Sequence, residues 1–414
     1  MKHFKKTIVV FLGTALNFFF AYLLHFVLGR LLGPHDYGVF GVVTNIAWVT
    51  SIPLGAVGVA IVKYSSVFNT GKDKEVKIGS LLAFFLKFSL VLNLVFVLFY
   101  FVFSGFFSDI LGGGLTWLII IFAVSLPFSG VSGALLMFLQ GLGKVYGYSF
   151  VNVLSVLIKF AAAFLLVLAG FGVFGALLSL TFASIGVILL CIPFLWSYFG
   201  KKKVFIPKKK IFVFGLSVLF TTVFVNLVIY FDLFFVKSFL GSEQAGYYEA
   251  AVTLCRAFLM TSSILAVFFP EFNKDATLSN AKSLKVNVNW ALIYTTLICL
   301  IGLIAYWVFP ELIVNLTYSS SYLETVPILK VLSFGYVFYS LFNVLLYALW
   351  ALNKQKLVGY FGIFLFIIDM PLLYFLVPVY GVISAAWITT GLLGVLFIFS
   401  FILVYSQIIK KQIF

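Results

Sequence analysis

Six charged side chains fall well inside long apolar runs: Lys87, Lys159, Asp232, Glu249, Arg256 and Asp369. A charge at bilayer depth is costly, so such a residue pairs, lines a cavity, or handles an ion or proton. Arg256 stands near the middle of its run, where its head is furthest from water. Glu249 precedes it by seven residues, with Thr253 between, so all three share one helical face. That polar stripe is a candidate transport site; the competing reading is a structural pair, Glu249–Arg256 or Asp232–Arg256. On the preceding run Asn226, Tyr230 and Lys237 share a face, while Asp232 points elsewhere. Lys159 and Asp369 are candidates for coupling, because a buried carboxylate carries a proton or helps hold sodium. Each is equally open to a structural role inside its own bundle. Arg30, Lys63, Lys237 and Lys330 lie nearer run ends, where a long basic side chain reaches the interface.

The elements that must position these groups are membrane helices. Hydrophobic residues make up 64% of the 414-residue chain, charged residues 9%, and mean hydropathy is +1.20. No ordinary soluble domain has that balance. The apolar runs predict twelve spans at about 7–31, 38–64, 78–104, 115–140, 148–169, 173–199, 211–240, 245–270, 285–309, 325–351, 357–377 and 380–406. The first follows Lys2, Lys5 and Lys6 like a signal sequence. It is too long for a signal core and lacks a small-residue cleavage site, so it reads as a retained span.

Lysines crowd alternate connections: 72–77, 144, 201–210, 274–285 and 354–356, together with both chain ends. The opposite set holds Asp36, Asp109, Glu243, Glu311 and Glu324. By the positive-inside rule this predicts cytoplasmic termini. The net charge of +15 then faces an anionic leaflet and calls for no nucleic-acid partner.

The halves repeat. Gly33-Pro34-His35-Asp36-Tyr37-Gly38 answers to Gly241-Ser242-Glu243-Gln244-Ala245-Gly246, 208 positions on. Gly141-Leu142-Gly143-Lys144 answers to Ala351-Leu352-Asn353-Lys354, and Gly172-Val173-Phe174-Gly175 to Gly381-Val382-Ile383-Ser384. The expected architecture is therefore all-α and polytopic: a six-helix bundle over 1–200, a basic linker over 201–210 and a second bundle over 211–414. An even number of spans per copy predicts a pseudo-twofold along the membrane normal.

Enzymatic signatures are missing. Gly141-Leu142-Gly143-Lys144 is no phosphate-binding loop, since Phe138 and Val145 occupy its other key positions. His3, His25 and His35 form no metal pair on one helical turn, and Cys191, Cys255 and Cys299 have no ligand spacing. No metal or cofactor is expected. Asn315-Leu316-Thr317 fits a glycosylation sequon, a weak signal on its own.

Several stretches resemble the polysaccharide/oligosaccharide-lipid flippases of the multidrug/oligosaccharidyl-lipid/polysaccharide exporter superfamily. They are Gly29–Phe40, Gly58–Tyr64, Gly141–Lys144, Phe269–Phe272 and Tyr322–Leu332, and they follow in order along the chain. The resemblance implies a flippase that moves a polyprenyl-diphosphate-linked glycan, a cell-surface polysaccharide precursor, from inner to outer leaflet. It implies two bundles rocking around a cationic cavity lined by spans 1, 2, 7 and 8, which carry Arg30, Lys63 and Arg256. Lys63 stands where the family often has arginine, a point charge in place of a bidentate fork. It also implies the cytoplasmic (plasma) membrane, with lipids, a glycan polymerase and glycosyltransferases as partners. The alternatives are a cation-coupled multidrug exporter of the same superfamily, a lipid II flippase or a membrane glycan polymerase.

Overall fold

The computed structural model describes residues 2–69, 73–201, 204–278 and 280–413; Lys72, Lys202 and Lys203 of the basic connections lie outside them. Helices follow one another as α1 (Lys2–Phe68), α2 (Lys74–Ile110), α3 (Thr116–Gly141), α4 (Val145–Leu166), α5 (Gly172–Leu195), α6 (Lys208–Tyr230) and α7 (Asp232–Cys255). Then come α8 (Leu265–Thr277), α9 (Ala281–Val308), α10 (Pro310–Thr317), α11 (Thr325–Ala351), α12 (Gln355–Tyr380) and α13 (Val382–Ile413). Among the described residues there is no strand. In a bilayer this is expected, since a helix satisfies its own backbone and an open sheet edge does not.

Nine continuous helical stretches are long and apolar enough to span a membrane, among the described residues. Three of them, Ala15–Phe68, Val145–Tyr198 and Val223–Thr261, are twice the needed length and break at glycines. Gly33 (φ 73°, ψ 173°) splits the first and Gly241 (φ 87°, ψ −178°) the third. Gly170 and Gly172, at φ 89° and 49°, split the second. Nine stretches with three such breaks give the twelve expected spans of a multi-pass membrane protein. These torsions belong to a region that side-chain-bearing residues avoid, which is why glycine occupies it.

The same torsions mark the repeat. Gly33 and Gly241 have near-identical φ and ψ; Gly143 (φ 69°) matches Asn353 (φ 56°), and Gly172 matches Gly381 (φ 73°). Asn353 is the one non-glycine at positive φ among the described residues. The sequence offset falls from 210 at Gly143/Asn353 to 209 at Gly172/Gly381. A π-turn over Val167–Phe171 in the first copy absorbs the extra residue.

Contacts divide the chain into residues 1–219 and 220–414, a boundary inside α6. The first unit packs Ile78, Leu82, Phe85, Phe138, Leu139 and Cys191 into its core. Its opening hairpin is closed by a hydrogen bond between His25 Nδ1 and Tyr37 OH, 3.0 Å apart. At the start of α2, Lys201 bonds Glu75 at 2.9 Å and holds that carboxyl below its ordinary range. Gly130 of α3 lets the amide of Asn93 approach closely: a Cβ there would sit 1.9 Å from Nδ2, which donates to Ser89 O. Replacing Gly130 by alanine should therefore destabilise the first unit by about 1–3 kcal/mol. Thermal unfolding in detergent reads the change, and an unchanged midpoint would refute it.

The second unit buries Tyr248, Tyr318, Tyr322, Tyr336 and Phe342 almost completely. Two of its spans depart from a continuous α-helix. Span 7 breaks at Phe231, between α6 and α7. There Asp232 Oδ1 accepts the Leu233 N–H at 2.7 Å, and Phe234 N–H reaches back only three residues to Phe231 O. A side-chain acceptor has displaced the backbone one. Span 8 tightens to a nine-residue 3-10 helix over Arg256–Ile264 before α8, far longer than such runs usually persist. Neighbouring hydroxyls satisfy carbonyls at this change: Tyr306 donates to Leu254 O (2.7 Å) and Ser340 to Phe258 O (3.1 Å).

Candidate functional site

Arg256 begins the tightened stretch of span 8, and its side chain is 17% exposed. Nη1 donates to Glu249 Oε1 at 3.0 Å, and the guanidinium lies 5.8 Å from the Tyr230 ring centroid. Glu249 is 1% exposed and also accepts the Thr253 hydroxyl at 3.3 Å. The stripe expected from spacing is thus a connected chain of hydrogen bonds. Of the two ion pairs open from sequence, the structure forms Glu249–Arg256. A paired guanidinium still has donors beyond those used on one carboxylate oxygen, which is how arginine serves structure and ligand together.

Asp232 takes no part in that pair. Its Oδ2 accepts Tyr248 OH at 2.5 Å and Thr389 Oγ1 at 3.0 Å, joining α7 to α13. Asp369 in α12 is fully buried, and neither carboxylate oxygen has a hydrogen-bond partner among the described residues. Tyr248 and Thr389 were not legible as site residues. A lone hydroxyl in an apolar run is common, and only the fold brings position 389 to position 232.

In the first unit Lys63 is exposed, with Nζ 3.7 Å from the Phe214 ring centroid. It stands at the rim of a cavity of about 640 Å³ bounded by α1, α2 and α3. Ser51, Gly58, Ser129, Gly133 and Gln140 line its wall. Arg30 is exposed at the end of span 1, just before the Gly33 break. Lys159 of α4 is half-buried and forms no salt bridge among the described residues. Arg30 and Lys63 belong to the first unit and Arg256 to the second.

Residues 3–275 match the family described as "Polysaccharide biosynthesis protein". The chain belongs to this family. A protein of Shigella flexneri, provisionally an O-antigen transporter, is 28% identical over 180 residues, which is 43% of this chain and 42% of that protein. The match therefore spans less than half of either. Among solved structures, an inward-facing multidrug-resistance MATE transporter of the MOP superfamily superposes with a TM-score of 0.75. It is 16% identical, with 94% of each chain covered. The lipid II flippase MurJ, inward closed, superposes at 0.73 and 16% identity, covering 99% of this chain and 90% of that one. Such identity speaks for the fold alone, twelve helices in two bundles. The expected family and fold are both borne out.

Proposed function

We propose that this family member is a flippase for a polyprenyl-diphosphate-linked oligosaccharide, carrying it from the inner to the outer leaflet. Arg256 is the observation that carries the reading: a guanidinium at bilayer depth, at the junction of α7 with a 3-10 stretch. A diphosphate crossing the membrane needs compensating cations, whereas its polyprenyl tail stays in lipid. Arg30 and Lys63 supply further positive charge on spans 1 and 2. The two bundles, 1–200 and 211–414 joined by the basic linker 201–210, alternate access to opposite leaflets. The chain sits in the cytoplasmic membrane with both termini inside, beside the polymerase and glycosyltransferases that consume and make its substrate.

The family match and the O-antigen transporter likeness support this reading. The multidrug-exporter alternative draws on the MATE fold, but a cationic drug would meet like charges at Arg30, Lys63 and Arg256. Liposomes holding the purified protein test it with a fluorescent polyprenyl-diphosphate sugar. Faster exchange between leaflets than in protein-free liposomes is expected. Drug efflux without sugar-lipid movement would replace the flippase by the exporter.

A further inference from the structure

We propose that a groove on the first unit, walled by α1, α2 and the start of α6, holds the polyprenyl chain of the carried lipid. The diphosphate lies at three lysines that close one end. The identity of the lipid rests on the flippase reading.

The groove has a volume of about 190 Å³ and an apolar wall. Ala56 and Ala60 of α1, Phe84 and Phe88 of α2, and Gly215 and Leu216 of α6 line it. All belong to the first unit. Small residues keep it open where α6 passes over α1: a Cβ added at Gly215 would only reach ordinary contact, 4.0 Å from Ala56 O. Phe212 and Leu216 are more than half exposed, so the outer side faces lipid. A chain lying there stays in the hydrocarbon region, against the flank of the protein.

Each wall ends in a lysine, and the three are in register. Lys63 follows Ala56 by seven residues, Lys77 precedes Phe84 by seven, and Lys208 precedes Gly215 by seven. Seven residues are close to two helical turns, so each lysine stands on the groove face of its helix, about 10 Å beyond the apolar wall. Ring contacts place Lys63 and Lys208 at the same end. Lys208 Nζ lies 5.8 Å from the Phe84 ring centroid and Lys63 Nζ 3.7 Å from that of Phe214. None of the three lysines forms a salt bridge among the described residues, and the carboxylate of Glu75 is taken by Lys201. Lysines that only orient a chain in the membrane need no register with a groove.

An apolar slot capped by three cations suits an amphiphile with a single chain and a multiply charged head. So narrow a volume admits one hydrocarbon chain and not the pair of a phospholipid, which favours a polyprenyl diphosphate. The groove also adjoins the 640 Å³ cavity: Val57 of α1 lines both, and Lys63 stands at the cavity rim. Glycan and chain thus lie on opposite sides of one helix, with the diphosphate at its end. The fold does not require this arrangement. At the 208-residue offset of the repeat, Ala56, Ala60 and Lys63 become Ile264, Phe268 and Glu271. The second copy has neither the small residues nor the cation.

The probe is a polyprenyl diphosphate with a diazirine in its chain, added to the full protein in phosphatidylcholine nanodiscs and mapped by peptide after illumination. Labelling should concentrate in residues 53–60, 84–92 and 211–219. Gly215→Leu fills the groove and should cut labelling about tenfold. Lys77→Gln and Lys208→Gln should each weaken binding about 3- to 10-fold, whereas Lys209→Gln, off the groove face, is the charge control and should not. Labelling spread along the chain, an equal loss with Lys209→Gln, or displacement by equimolar dioleoylphosphatidylglycerol would overturn the site. If Gly215→Leu does not fold, Leu216→Trp fills the same groove from an exposed position. Labelling in the groove without sugar-lipid movement would leave the site standing and refute the flippase; movement with labelling elsewhere would do the reverse.

Discussion

Arg256→Ala should reduce sugar-lipid movement in liposomes by about 10- to 100-fold, the worth of a lost charge-assisted contact to a phosphate. The same change leaves Glu249 buried at 1% exposure without its pair. That alone costs about 3–5 kcal/mol, so the single variant confounds folding with transport. The double variant Arg256→Ala with Glu249→Gln removes the orphaned charge and separates the two effects. Stability should largely return in the double variant while movement stays low. Arg256→Lys keeps the charge but not the planar fork, and should fall between wild type and alanine. Wild-type movement by a normally folded Arg256→Ala protein would remove Arg256 from the site and leave the Glu249 pair a purely structural one.

The second large effect concerns the span breaks. Gly241→Ala should destabilise the protein by about 1–3 kcal/mol, since φ 87° with ψ −178° is open in practice only to glycine. Nothing lies within 4 Å of an added Cβ at Gly33 or Gly241, so no clash contributes and the cost is torsional. Gly33→Ala should cost a similar amount, and the two should add, because each sits in a different unit. Gly55 is the control: it also has open space but lies inside α1 without a positive φ. Alanine there should be neutral or slightly stabilising. Unfolding midpoints of the wild type, the three single variants and the Gly33/Gly241 double variant decide it, and no loss at Gly241 would mean the break tolerates another backbone geometry.

Much of the architecture was legible in order of residues. Apolar length set the spans, because bilayer thickness fixes how many helical residues must stay apolar. Glycine spacing marked Gly33 and Gly241 as breaks, and Asn353 in place of Gly143 kept the repeat visible, since asparagine tolerates positive φ better than most residues. The stripe of Glu249, Thr253 and Arg256 was readable for the same reason: helical periodicity makes neighbours of residues three, four and seven apart.

The rest depended on contacts that no local pattern encodes. Asp232 meets Thr389 across 157 positions of sequence, and Asp369 ends up sealed with no hydrogen-bond partner among the described residues. The 3-10 run after Cys255 is served by hydroxyls of Tyr306 and Ser340 that tertiary packing delivers to the backbone, whereas the break at Phe231 has a local acceptor, Asp232 Oδ1. Residue order determined which segments cross the membrane and where they bend, because both follow from properties of neighbouring residues. Tertiary structure decided which buried carboxylates meet partners, as Asp232 meets Thr389, and which do not among the described residues, as Asp369, because in a low-dielectric interior a charge's surroundings depend on whatever distant helix packs against it.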